Sequence, residues 1–348
     1  MADSSKEIEA INSFREALDE KTNERYNDEV YFGSVPNCTK LERGKFIRFM
    51  GTSVPAIENP ESWVGLPEQA VKQLTDTVKW RAENDVDLYP VATKNNKLPV
   101  LYAVRGFDIE DANLTAAPGL SESVLRIASY MGGSCLHKTD KEGCPVYIER
   151  LGYHAAKEIA KFTTVDEVLQ YHIGCNEFLH RIIDKDCSKK AGKFINRETV
   201  IFDCTGMGWH QFHTPALQYL RAISENDQKY YPETMNKLFI VNAPSAFVIV
   251  WKMVKGWLDP GTIAKIQILG KDFQEPLLNH ISAENLPKFL GGECECSHMP
   301  GGCVPSAILG NIPPYVAGEQ NPTVVTSYST EIMEEAKTNP ELRGDDAV

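Results

Sequence analysis

The spacing of hydrophobic residues changes near Pro145, and this change predicts two kinds of structure. Before Pro145 the apolar residues recur at helical intervals, first in Ile8, Ile11, Phe14 and Leu18. A second helical pattern begins at Pro67 and ends near Asn84, and a third covers roughly residues 121–131. The sequence therefore predicts a helical N-terminal part.

Beyond Pro145 short apolar runs alternate with helical segments. Four runs lack polar alternation, as strands buried on both faces do: PVYIERLG, ETVIFDC, KLFIVNA and AKIQILG. Thr164 and Glu167 predict a capping box at the start of a helix that reaches about Asp186. Further helices are predicted at 215–227 and 245–257. Strands joined by helices indicate an α/β fold with a mostly parallel sheet.

The helix predicted at 245–257 is apolar on nearly all sides. Its apolar residues are Phe247, Val248, Ile249, Val250, Trp251, Met253, Val254 and Trp257. A surface helix of a globular protein carries only an apolar stripe. We therefore expect this helix to be buried throughout, as an ordinary core helix is, or to contact lipid.

Charge and cysteine content narrow the classes of function. A net charge of −12 argues against binding of nucleic acid, which needs clustered cations, and against recruitment to anionic membranes by overall charge. The sequence shows neither an export signal nor an apolar run of membrane-spanning length. Nine mostly scattered cysteines fit a reducing compartment. We therefore expect a cytoplasmic protein.

Several blocks, in this order, resemble Sec14-like proteins that carry a CRAL-TRIO lipid-binding domain: HKTDKEGCPVYIERLG, VIFDCTGM, YYPETMNKLFIVNAPSAF, LDPGTIAKIQILG and AENLPKFLGGECEC. The resemblance is strong over about residues 120–305. It implies a small helical N-terminal module and an α/β domain whose sheet floors an apolar lipid pocket closed by a gating helix. The implied boundaries are 1–110 for a divergent module, 111–305 for the lipid-binding domain and 306–348 for a C-terminal extension.

The resemblance also implies roles for individual residues. Headgroup contacts are expected at Glu233, Asp259, Thr262 and Lys265, where Lys supplies a cation and the others pair with hydroxyls. Pocket residues are expected at Tyr147, Val200 and Phe202. Gate residues are expected at Phe247, Val250, Trp251, Val254 and Trp257. A closed pocket is needed because exposing two acyl chains of a phospholipid to water costs on the order of 25 kcal/mol.

Two departures from the family pattern bear on the ligands. Only Arg48 remains where the helical module usually supplies several cations near the inositol phosphate. Members that exchange phosphatidylcholine carry small hydroxyl residues where this chain has Glu198 and Val200. Those members also carry tyrosines around the block that begins at His137, whereas this chain has Leu136 directly before it. Phosphatidylcholine is therefore a poor candidate for the second ligand, and a sterol or another apolar molecule remains open.

Four soft ligands near the end of the resemblance raise the question of a metal site. Cys294, Cys296, His298 and Cys303 suffice for tetrahedral zinc, but structural zinc usually shows two to four residues between paired cysteines. We expect a reduced loop without metal. The sequence predicts no catalytic residues and no cofactor beyond a bound phospholipid.

These observations favour a monomeric lipid carrier that is not an enzyme. It would bind phosphatidylinositol, exchange it for a second lipid during transient membrane contact, and present it to a lipid kinase. An alternative is a sensor for another apolar ligand, such as a sterol, a tocopherol-like compound or haem. A third hypothesis is a protein-interaction scaffold with a vestigial pocket.

Overall fold

The computed structural model describes residues 67–110 except 97, 99 and 101, residues 126–312 except 128 and 246, and residues 330–344. The first predicted helix and Arg48 lie outside the described residues, as does most of the stretch 121–131. The predicted domain boundaries stay predictions.

Six strands form one sheet in the order of the sequence. All neighbouring strands are parallel except the second and third, which form an antiparallel hairpin. The strands are β1 Ala103–Arg105, β2 Ser134–Thr139, β3 Pro145–Glu149, β4 Glu198–Asp203, β5 Met235–Val241 and β6 Ile266–Ile268. The predicted mostly parallel sheet is confirmed.

Helices cover and connect these strands. They are α1 Pro67–Glu83, α2 Ala156–Ile159, α3 Val165–Phe178, α4 Asp184–Ala191, α5 Thr214–Tyr230, α6 Phe247–Val254, α7 Pro260–Ala264, α8 Gln274–His280 and α9 Thr330–Thr338. Shorter 3₁₀ turns occur at Val86–Leu88, Leu151–Tyr153, Trp209–Gln211, Lys255–Trp257, Ala283–Asn285, Lys288–Leu290 and Pro340–Arg343. None of the helices described here combines the length and the apolar character needed to cross a membrane.

The predicted capping box at the start of α3 is confirmed. The backbone N–H of Glu167 donates to the Thr164 hydroxyl at 3.2 Å, and the Glu167 carboxylate accepts from the Thr164 N–H at 2.7 Å. A π-helical turn at Leu179–Ile183 joins α3 to α4, so the helical segment passes the predicted end at Asp186. It stops where Gly192 takes a left-handed φ of 63°, which glycine adopts without steric cost.

The two faces of the sheet differ in how completely they are covered. On one face Ile201 and Phe239 are completely buried against α8 and the loops that follow it. On the other face Val200 and Leu238 keep 7% and 9% exposure, and Tyr147 is only partly buried. The second face, which α6 covers, is therefore buried as well, but less completely than the first.

A buried ionic network joins α1 to α3. The guanidinium of Arg81 donates two hydrogen bonds of 2.8 Å to the Glu177 carboxylate, which is 2% exposed. Arg181 lies 3.2 Å from the same carboxylate, and the Tyr231 hydroxyl donates to it at 2.7 Å. Burial alone would raise the pKa of Glu177, but the two cations and these hydrogen bonds lower it to about 2.

Candidate functional site

The three predicted pocket residues and two of the five predicted gate residues, Phe247 and Trp251, meet in one apolar cluster. Register pairs Tyr147 with Val200, and Val200 with Leu238, so these side chains form a row across three strands. Phe247 of α6 belongs to the cluster built on this row, and Phe202 and Trp251 pack against it. The structure thus brings α6 onto the face of the sheet that the sequence assigned to lipid.

Helix α6 is not amphipathic, because both of its sides are apolar. Phe247 and Val250 are buried, and Trp251, Val254 and Trp257 of the predicted gate are partly buried. The opposite side exposes 56% of Val248, 62% of Ile249 and 41% of Met253. The helix is therefore not an ordinary core helix, and its exposed side is unfavourable in water.

The C-terminal end of this segment is fastened by a residue that sequence reasoning missed. The helix passes into the Lys255–Trp257 turn, and the side-chain amide of Gln228 on α5 donates to the Trp257 carbonyl at 3.0 Å. The Gln228 oxygen accepts from the Asp259 N–H at 3.1 Å. In the described part of the chain, no atom beyond the adjacent residues lies within 4 Å of the position that a Cβ would take at Gly256, so these residues leave space around the turn.

Asp259 and Thr262 form the N-terminal cap of α7. The Asp259 carboxylate accepts from the Thr262 N–H at 2.9 Å and from the Thr262 hydroxyl at 2.5 Å. Asp259 therefore fixes the orientation of the Thr262 hydroxyl. The lone pairs of that hydroxyl stay free to accept a hydrogen bond from a ligand.

Lys265 lies at the other end of α7 and shares an anion with a second cation. Its ammonium donates to the Glu233 carboxylate at 2.8 Å, and Arg197 donates to the same oxygen at 3.1 Å. The Glu233 side chain is only 5% exposed, whereas those of Lys265 and Arg197 are 19% and 29% exposed. The three side chains together carry a net charge of +1 at a partly open position.

Arg197 was missed because its position depends on a contact between distant segments. The backbone N–H of Glu198 donates to the Thr234 carbonyl at 2.8 Å, and this bond places Arg197 beside Glu233. The sequence signal that could have identified Arg197 is its place as a cation directly before a predicted strand. Arg197 thus places a second cation beside Lys265 from a part of the chain that the sequence comparison at Arg48 did not consider.

A carboxyl group lies on the same sheet face as the apolar row. Residues two apart in a strand share a face, so Glu198 projects with Val200 and Phe202. Burial, together with the nearby carboxylates of Asp184 and Asp227, raises the pKa of Glu198 to about 8 against the opposing effect of His172. Glu198 therefore holds its proton at neutral pH and offers a hydrogen-bond donor.

Comparison with known proteins gives matches over this region. The CRAL/TRIO domain family matches residues 130–292. The phosphatidylinositol/phosphatidylcholine transfer protein SFH7 of Arabidopsis thaliana is 42% identical over 239 residues, which are 69% of this chain and 39% of SFH7. The Sec14 cytosolic factor of Schizosaccharomyces pombe is 41% identical over 167 residues, 48% of this chain and 57% of that protein. This chain spans less than two thirds of the length of either relative.

A solved structure shares the fold. The crystal structure of Sfh5 superposes with a TM-score of 0.53, covering 98% of this chain and 99% of the other, at 17% sequence identity. At this identity the likeness concerns the fold alone.

Proposed function

Because the chain belongs to the Sec14-like family and carries a CRAL/TRIO domain at residues 130–292, we propose that it binds phosphatidylinositol and transfers it between membranes. The acyl chains lie against the apolar row on the sheet, beneath α6. The headgroup lies at the rim, near α7. The protein acts as a carrier, without catalysis.

The observation that carries this proposal is the pairing of an apolar floor beneath α6 with a cationic rim. Tyr147, Val200 and Leu238 line the floor. Lys265 and Arg197 face one shared carboxylate, which leaves one positive charge without an anion inside the group of three. A phosphodiester carries one negative charge and fits this excess, and charged hydrogen bonds are the stronger ones.

The exposed side of α6 supports transient contact with membranes. Val248, Ile249 and Met253 would leave water on entering the lipid interface, whereas their exposure in solution has a free-energy cost. Movement of α6 would then open the apolar floor to the bilayer. The relative from S. pombe is called a cytosolic factor, which favours the same localisation for this chain.

The second ligand is proposed to be another lipid. The name of SFH7 includes phosphatidylcholine, whereas Glu198 on the pocket face replaces the small hydroxyl residue expected for that lipid. A protonated carboxyl group can donate to a sterol hydroxyl or to an ester carbonyl. This donor supports an apolar second ligand with one oxygen near β4.

Transfer of labelled phosphatidylinositol between vesicles tests the proposal. Lys265→Ala removes one charged hydrogen bond, worth about 1.5–3 kcal/mol, so transfer is expected to fall at least tenfold. Lys271→Ala changes an exposed lysine elsewhere and serves as the matched control. Unchanged transfer by Lys265→Ala, with circular dichroism matching the wild type, would reject the headgroup assignment.

A further inference from the structure

Four potential metal ligands converge on the face of the sheet opposite to α6. One ligand atom each from His137, Cys294, Cys296 and Cys303 lies within 4.8 Å of all the others. The Cys294 and Cys296 sulfurs are 3.5 Å apart, and the Cys296 sulfur lies 3.4 Å from the His137 Nε2 atom. These residues play no part in the proposed lipid site.

The spacing of these atoms is that of a tetrahedral zinc shell. With Zn–S bonds of about 2.3 Å and Zn–N bonds of about 2.0–2.1 Å, neighbouring ligand atoms of a tetrahedron lie about 3.5–3.8 Å apart. The S–S distance of 3.5 Å and the S–N distance of 3.4 Å are slightly shorter than these values, so a metal ion would fit after small shifts of the side chains. Three cysteines and one histidine form an established structural zinc set with no open coordination position.

The histidine is oriented for this role. His137 is completely buried, and its Nδ1 lies 3.0 Å from the Asn285 carbonyl oxygen. A carbonyl only accepts, so Nδ1 carries the proton and the lone pair of Nε2 faces the sulfurs. A hydrogen bond from the other ring nitrogen to a carbonyl is the usual support of a metal-bound histidine.

The charges of a zinc ion and its three cysteine ligands also balance to within one unit. Binding of Zn²⁺ by three thiols releases three protons and leaves a net charge of −1 on the metal and its ligands. The buried guanidinium of Arg105 lies against the same loop, where it donates to the carbonyls of Pro300 and Gly302 at 3.0 and 2.8 Å. A cation is thus already placed next to the loop that would carry the excess negative charge.

We propose that His137, Cys294, Cys296 and Cys303 bind a structural zinc ion that fastens the loop 294–303 to strand β2. The sequence-based expectation of no metal rested on the single residue between Cys294 and Cys296 and on His298 as the fourth ligand. His298 instead is 64% exposed and lies 3.3 Å from a Glu110 oxygen. The fourth ligand comes from the sheet, where local spacing rules do not apply.

Elemental analysis of the full chain, purified without chelator, tests the proposal. We expect a single zinc ion per chain in the wild type and in His298→Ala, the matched control, and at least tenfold less zinc in Cys303→Ser and His137→Ala. Absence of zinc from the wild type, or its loss from His298→Ala, would overturn the proposal.

A second measurement covers the case in which the site variants do not fold. Cobalt exchanged into the wild-type protein should give the visible bands of a tetrahedral ion and thiolate-to-cobalt charge transfer. Peptide mass mapping should show Cys294, Cys296 and Cys303 as reduced thiols. Absence of the cobalt bands, or a disulfide between any two of these cysteines, would refute the zinc site.

Discussion

The exposed side of α6 should control how strongly the protein associates with membranes. Val248 and Ile249 are 56% and 62% exposed, and complete burial of such side chains is worth about 1.5–3 kcal/mol each. Their exposed fractions therefore offer about 1 kcal/mol or slightly more apiece. Together they contribute about 2–3 kcal/mol, which corresponds to roughly 30- to 150-fold in partitioning.

We expect the double variant Val248→Ser/Ile249→Ser to bind uncharged vesicles roughly 30- to 150-fold more weakly than the wild type. Sedimentation of the protein with vesicles measures this binding directly, and lipid transfer should slow with it. Thermal unfolding should change little, because both side chains already face solvent. Ile308→Ser is the control, since Ile308 is 40% exposed outside this helix. Equal binding of wild type and double variant, or an equal loss in Ile308→Ser, would refute the membrane role of α6.

Three other substitutions test separate parts of the structure. Arg197→Ala should slow phosphatidylinositol transfer about tenfold through loss of a charged hydrogen bond. Arg221→Ala, which changes an exposed arginine, should transfer at the wild-type rate. Equal transfer by Arg197→Ala and the wild type in vesicle assays would contradict this role. Glu177→Gln removes the buried negative charge that Arg81 and Arg181 share and leaves Asp87 as the acidic partner of Arg81. The free energy of unfolding should fall by about 3 kcal/mol in urea titrations, and a fall of less than about 1 kcal/mol would contradict this role. The pKa of Glu198 is raised to about 8, so the stability of the wild type should fall as the pH rises from about 4.5 to 8. Glu198→Gln should remove this part of the decline. Melting temperatures that fall equally with pH in both proteins would contradict this assignment.

Features set by neighbouring residues were predictable from the sequence. The capping box of Thr164 and Glu167 depends on residues three apart, and it forms as predicted. The apolar runs at Glu198–Asp203 and Met235–Val241 are strands because their β-branched and aromatic side chains are buried on both faces. The ordered motifs then indicated the CRAL/TRIO family, which the comparisons confirm.

Features that depend on contacts between distant segments were not predictable. Arg197 reaches Glu233 only through the pairing of the Glu198 and Thr234 backbones. His137 lies far from Cys294 in sequence, so local spacing pointed to His298 instead. Composition could not show which side of α6 faces water, because both sides are apolar.

The roles assigned to Glu233, Asp259, Thr262 and Lys265 stay predictions, although the structure groups them around α7. Asp259 orients Thr262, and Glu233 holds Lys265. In the proposed headgroup site, Asp259 and Glu233 are therefore expected to act through these partners. Thr262 and Lys265 are the residues expected to touch the ligand.

Mass spectrometry of the molecules extracted from the purified full chain tests most directly whether the apolar floor beneath α6 and the cationic rim hold an inositol phospholipid. We predict that phosphatidylinositol is recovered with the wild-type protein and is depleted from Lys265→Ala, with a second lipid taking its place. Recovery of no phospholipid, or of only a non-phospholipid apolar molecule, would contradict the account.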